Sequence, residues 1–450
     1  MARMAGTGTP AKSRSLFRYA FSLAARSGVP SRLSSRSHSA AVSAAPDPPA
    51  VADVAAASAA AGRPGFAVTV QTLRQRGKNL RTAAVEPVGG ARQRASARTR
   101  TEDQEAGSVF TDLIRRPVIV APMAGGPTTA GLVTAAAEAG AVGFVAAGYK
   151  SAGAMRAELD AVTAATSWPF GVNVFVPGRP AADAAALASY LKAIAADALE
   201  VGAEPGDASW DDDDWPAKIA DLIARPVPIV SFTFGCPGPD LVAALRAAGS
   251  SVWVTVTDPR EAEQAAAAGA DCLCVQGAEA GAHRGTFANL SGAQRDAGGR
   301  LPDLIAAVRG VSDLPLVAAG GIMDASGVAG VLAAGASAAQ CGTAFLRCPE
   351  SGAHPAYKAA LADPRLADTA VTRAFSGRPA RGLVNSFMTD HQDAPAAYPE
   401  INNATRPIRA AAAAAGDVDR MSLWAGAGFR AATTRPAGEV VDLLCPRPTI

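Results

Sequence analysis

The stretch Pro315–Phe345, PLVAAGGIMDASGVAGVLAAGASAAQCGTAF, decides how the chain folds. It opens on a short apolar run, PLVAA, too short for a helix and without polar alternation. That is the pattern of a strand buried on both faces. Gly320-Gly321 breaks the run, and the Ala- and Val-rich stretch Asp324–Ala334 then reads as a helix. Gly335 stands just past it, where a left-handed cap turns the chain into the next run, Ala338–Gly342.

The same unit recurs upstream. Apolar runs of strand length lie at Pro117–Ala121, Val142–Ala146, Phe170–Phe175, Pro228–Phe232, Val252–Val256 and Asp271–Val275. Helical segments such as Gly131–Ala139, Pro239–Ala248 and Pro259–Ala268 alternate with them, and Gly140, Gly249 and Gly269 follow as caps. Eight strands, each followed by a helix, give the α/β arithmetic of a (β/α)8 TIM barrel. A doubly wound open sheet uses the same units, and the placement of the motifs favours the barrel. Arg179–Arg225 is longer than one helix needs and is read as an inserted helical segment. Its Asp211–Asp214 run cannot converge on one metal ion, and reads as a solvated loop that starts a helix. No spacing of the zinc-ligand kind occurs, so no metal is expected.

In a barrel the working face lies at the carboxyl ends of the strands. APMAGG (Ala121–Gly126) follows the first run, and GVNVF places the amide of Asn173 in the third. FTFGCPG (Phe232–Gly238) follows the fourth, and VQGAEAGAHRGTF (Val275–Phe287) the sixth. Gly320-Gly321 and Gly342-Thr343 follow the seventh and eighth, where barrels often hold a phosphate beside a helix amino terminus. No dinucleotide fingerprint follows the first strand, so a mononucleotide is the simpler expectation. Of the four His, only His283 stands at a strand end, and it is the residue singled out for chemistry. Acyl transfer is disfavoured, because no Ser or Cys sits in a nucleophile elbow. Cys272 and Cys274, two apart in one run, share a face and read as core packing.

The ends differ from this pattern. Met1–Pro46 holds no acidic residue and carries Arg3, Lys12, Arg14, Arg18, Arg26, Arg32 and Arg36. Residues 1–108 are read as a low-complexity, disordered leader, with a transit peptide as the alternative. The expected location is therefore cytoplasmic, or mitochondrial under that alternative. Residues 109–450 form the catalytic domain, with barrel strands over about 117–342 and a C-terminal helical part over 350–450. A net charge of +2 excludes a charge-driven nucleic-acid binder, and no apolar run is long enough to span a membrane. Six Cys in 450 residues do not make a disulfide scaffold.

APMAGG, GFVAAGYKS (Gly143–Ser151), GVNVF, VQGAEAGAHRG, AAGGIMD, QCGTAF, FSGRPARGLVN (Phe375–Asn385) and SLWAGAG (Ser422–Gly428) together resemble the FMN-dependent nitronate monooxygenases. The resemblance covers Val109 to the end. It implies FMN held by Pro122, Met123, Asn173, Gln276, Gly281, Gly321, Gln340, Cys341, Gly342 and Thr343. It implies His283 as catalytic base, an alkyl nitronate and O2 as reactants, and carbonyl compound and nitrite as products. Two departures show: Ala282 stands where the family usually has Gly, and Cys341 where it often has Met. Three rivals stay open: a flavin-dependent enoyl-acyl-carrier-protein reductase, a flavin-binding module without turnover, and a barrel dehydrogenase using a loop Cys. Oligomeric state is not readable.

Overall fold

In the computed structural model, which describes residues 112–290 and 300–446, eight parallel strands close into a barrel. The expected leader lies outside the described residues. The barrel strands are β1 (Val118–Val120), β2 (Val142–Ala146), β3 (Gly171–Phe175), β4 (Ile229–Thr233), β5 (Ser251–Val256) and β6 (Cys272–Gln276). A two-residue strand, β7 (Ala282–His283), leaves the barrel, and β8 (Leu316–Ala319) and β9 (Ala338–Cys341) complete it. Closure is through β9 on β1, with Val118 opposite Ala339 and Val120 opposite Cys341. Each apolar run expected as a strand is one.

Alternation along each strand explains why both faces are apolar. Ile119, Phe144, Trp253, Cys272, Cys274 and Val317 point inward and fill the barrel, with Phe144 and Trp253 in ring contact at 5.4 Å. Their neighbours Val118, Leu273, Val275 and Ala318 point outward and pack under the helices. Cys272 and Cys274 are therefore core residues, as their spacing implies. Gly140, Gly249, Gly269 and Gly335 all take φ between +86° and +104°, the left-handed turn that brings each helix back to its strand. At the other end, Asp324 caps the helix Ala325–Ala333 by accepting from the Gly327 N–H at 2.8 Å.

The insertion between β3 and β4 holds the helices Ala184–Ala193, Ala195–Glu200 and Trp215–Ala224. Asp211–Asp214 does start the last of these, but it is not simply a solvated loop. Lys218, one turn in, is fully buried, and its Nζ lies 2.7 Å from Asp213 Oδ2. A buried ammonium needs a paired anion, and that requirement draws Asp213 inward. Burial in turn pushes the Asp213 carboxyl up to about 6 against the pull of Lys218.

Beyond the barrel the chain is helical in part, with helices Pro355–Ala360, Ser386–Asp390, Glu400–Ala415 and Ala437–Leu444. It also carries a feature the sequence reading lacks. Strands β10 (Thr369–Thr372) and β11 (Ala380–Leu383) pair antiparallel, and β11 pairs with β7, so that Ala380 stands opposite His283. The C-terminal part thereby reaches over the carboxyl ends of the barrel strands.

Candidate active site

A cavity opens at the carboxyl ends of the strands. Pro122, Met123, Asn173, Gln276, Gly281, His283, Gly321, Gln340, Cys341, Gly342 and Thr343 all line it. The structure thus brings together every site residue expected from the sequence. It also shows which atoms each one has to offer.

Around β8 and β9 the donors converge. The backbone N–H groups of Gly321 and Thr343 have no partner among the described residues. Thr343 Oγ1 accepts from the Gly426 N–H at 3.0 Å, which leaves its own hydrogen free to donate. Gly321 takes φ +67°, and a Cβ there would stand 2.9 Å from Glu279 Cβ, so a side chain would crowd this cradle. Uncommitted amides, a hydroxyl and no side-chain bulk suit an anionic group such as a phosphate.

Other expected contacts are constrained. Asn173 Nδ2 donates to Ser231 Oγ at 2.9 Å and Thr233 Oγ1 at 3.0 Å, so Oδ1 is the atom left for a ligand. Gln276 spends both ends of its amide on the following loop, donating to the His283 carbonyl at 2.9 Å and accepting from Gly285 N at 2.8 Å. It therefore shapes the loop that carries His283. The Cys341 side chain packs outward among the barrel-to-helix core, and burial pushes its thiol up to about 12. It offers backbone to the cavity and no nucleophile, which removes the chemical basis of a dehydrogenase working through it.

His283 lies under Phe234, Tyr398 and Trp424, whose rings stand 5.5–5.7 Å from it. Its Nε2 is 2.8 Å from Ser376 Oγ. Ser376 is buried, and its hydroxyl donates to the Arg378 carbonyl at 3.1 Å. In the tautomer that also satisfies the Arg378 carbonyl, Nε2–H donates to Ser376 and Nδ1 carries the lone pair. Burial, followed by the positive charges of Arg378 and Arg409, holds the imidazole down to about 3, so the ring is neutral at physiological pH. Arg378 is itself buried, stacked 4.0 Å over the Phe234 ring, and burial lowers it to about 10.

Ala282, the departure beside His283, takes φ +61°. A left-handed conformation costs a non-glycine residue about 1–2 kcal/mol, which gives the usual glycine a physical reason. Glycine also loses about 0.4–1 kcal/mol through the freer unfolded chain. Ala282→Gly should therefore raise stability by up to about 1.5 kcal/mol, read as a higher urea midpoint at unchanged slope. A lower midpoint would show that the methyl packs usefully.

Sequence reasoning missed Ser376, Arg378, Tyr398 and Trp424 as parts of this site. Ser376, Arg378 and Trp424 lie inside the motifs FSGRPARGLVN and SLWAGAG, so a signal for them was present, though nothing local told their roles.

Fold and cavity define a (β/α)8-barrel protein whose one rim brings uncommitted amides at the ends of β8 and β9 into the same cavity as a neutral histidine. The nitronate monooxygenase family matches residues 107–447, and the chain belongs to that family. It is an oxidoreductase of that kind, and the family is generally flavin-dependent. A nitronate monooxygenase of Pseudomonas aeruginosa is 43% identical over 304 residues, 64% of this chain and 84% of that protein. One from Paraburkholderia phytofirmans is 38% identical over 349 residues, 74% and 92% of the two chains. Among solved structures, a nitroalkane oxidase from Streptomyces ansochromogenes superposes with a TM-score of 0.73 at 49% identity, covering 74% and 96%. FabK from Thermotoga maritima follows the same fold at 27% identity and a TM-score of 0.57, covering 74% and 93%. Among the described residues no helix is long and apolar enough to cross a membrane.

Proposed function

We propose that the chain binds FMN in this cavity and uses it to oxidise alkyl nitronates with O2, releasing a carbonyl compound and nitrite. The observation that carries the reading is a neutral, part-buried histidine in the same cavity as uncommitted amides at β8 and β9. Gly321, Gly342 and Thr343 would hold the phosphate. Pro122, Met123, Gly281, Gln340 and the backbone of Cys341 would line the ring, with Asn173 Oδ1 as an acceptor and Gln276 acting through its loop. FMN, when bound, supplies an acceptor for the electrons of the nitronate carbon.

The chain's own part is orientation and charge. Arg378 and Arg409 place positive potential near the reacting end, which favours an anion over its neutral acid. A nitronate needs no base. A neutral nitroalkane must first lose its α-proton, and Nδ1 of His283 is the nitrogen open to take it, while Ser376 fixes the ring from Nε2. The arginines that discourage an imidazolium also stabilise the nitronate formed beside it.

The test is the absorption spectrum of the purified protein, followed by oxygen uptake and nitrite release with ethyl nitronate. A colourless protein, or a yellow one oxidising NADH with an enoyl thioester and no nitronate, would overturn the reading. We further infer that residues 109–450 are the working unit. Deleting residues 1–107 should leave flavin content and turnover unchanged, because that stretch has too few large apolar residues to join a core. Precipitation or loss of flavin on truncation would show otherwise.

A further inference from the structure

Tyr149, in the loop after β2, has no part in the chemistry above, yet the fold holds it under constraint. It is a non-glycine residue at φ +67°. Such a conformation persists only where the surroundings over-determine it, and these cases gather at functional sites. Here the surroundings are the acidic loop of the insertion. Asp213 Oδ1 accepts from the Tyr149 N–H at 2.8 Å, and Asp214 Oδ2 accepts from the Ala152 N–H at 2.6 Å. Buried Lys218 ties both sides together, reaching Asp213 Oδ2 at 2.7 Å and the Ala147 carbonyl at 3.0 Å.

The ring so held packs edge-on to Phe175 at 5.4 Å, and its hydroxyl meets that of Tyr398 at 3.3 Å. Tyr398 in turn touches His283. Tyr149 and Phe175 line the active cavity on one side and a second pocket, open to solvent, on the other. They are the partition between the two.

We propose that Tyr149, clamped by Asp213 and Lys218, is a specificity-determining wall that limits the length of alkyl nitronate the site accepts. The proposal rests on the nitronate reading above. A short chain stops at the ring, whereas a longer one must break the hydroxyl pair and displace a side chain whose backbone cannot relax. Asp213 and Lys218 are positioning residues, since they act only through Tyr149.

Tyr149→Gly in the full flavin-loaded chain is the decisive variant, because glycine takes φ +67° freely and only the wall is removed. Two series are read: kcat/KM for ethyl to hexyl nitronates, and calorimetric Kd for alkanoates from acetate to octanoate, planar anions that cannot react. Each methylene newly buried is worth about fourfold, so the hexyl-to-ethyl ratio should rise about tenfold or more in both series. Tyr149→Phe keeps the ring and should hold the ratio within about twofold of wild type. Asp213→Ala combined with Lys218→Met removes the clamp without stranding a buried charge, and should shift the ratio the same way by less. Unchanged series for Tyr149→Gly overturn the proposal. Should that variant lose flavin, unchanged series for the double variant overturn it instead. Wild-type protein that shows a length limit for alkanoates but oxidises no nitronate would bring down the functional reading and leave the wall standing.

Discussion

Replacing His283 by Asn should cost about 10²–10⁴-fold in kcat/KM with nitroethane and far less with ethyl nitronate. The substitution keeps approximate size and hydrogen bonding but cannot accept a proton at neutral pH. A nitroalkane must shed its α-proton before its electrons can leave, and a preformed nitronate has already done so. The inequality is the measurement, because damage to folding or flavin binding depresses both substrates together. Equal losses at intact flavin content would assign His283 to charge or orientation, and no loss at all would make it a packing residue.

The same residue sets two pH dependences. Its imidazole is held down to about 3, so no limb from His283 should cross the nitronate kcat/KM profile between pH 5 and 8. Stability behaves differently, since an unfolded histidine titrates near 6.5. Between about 3 and 6.5 the unfolded chain takes up a proton that the folded chain refuses. The contribution of the neutral ring is therefore complete above about pH 6.5 and is lost on acidification, at about 1.4 kcal/mol per pH unit and about 2 kcal/mol by pH 5. Denaturant titrations of wild type and His283→Asn should diverge by that order at pH 5, with the variant showing the shallower acid limb.

Gly321→Asp should abolish FMN binding, weakening it by about 100-fold or more through like-charge repulsion against the phosphate. Bulk acts in the same direction, because the position sits at φ +67° with Glu279 Cβ 2.9 Å from where a Cβ would be. Flavin per chain after gel filtration is the readout, with circular dichroism to confirm that the apoprotein is folded. A variant that stays fully yellow would place the phosphate elsewhere and take the cradle at β8 and β9 with it.

Much of this protein was legible along the chain because the information is local. A run such as Val142–Ala146 declares a strand by its length and continuous apolarity, and Gly140 or Gly335 declares a turn by the backbone it permits. The barrel then places the carboxyl end of every strand at one rim, so Asn173, Gln276, Gly321 and Gln340, scattered in sequence, had to meet. Their gathering was a consequence of strand order.

What the sequence could not decide is what reaches the site from far away, and which way each side chain turns once there. Ser376 lies 93 residues from His283, and only the pairing of β7 with β11 brings it to Nε2. Cys341 and Gln340 are neighbours, yet the strand's alternation turns the thiol into the mantle and leaves the amide at the cavity. Gln276 lines the cavity as expected, and only the structure shows that its amide also closes the His283 loop. The four aspartates looked solvated until the buried ammonium of Lys218 required one of them inside. Residue type and spacing determined the barrel and its rim. Burial and charge pairing, which exist only between segments brought together by folding, decided the protonation, orientation and reach of the groups upon it.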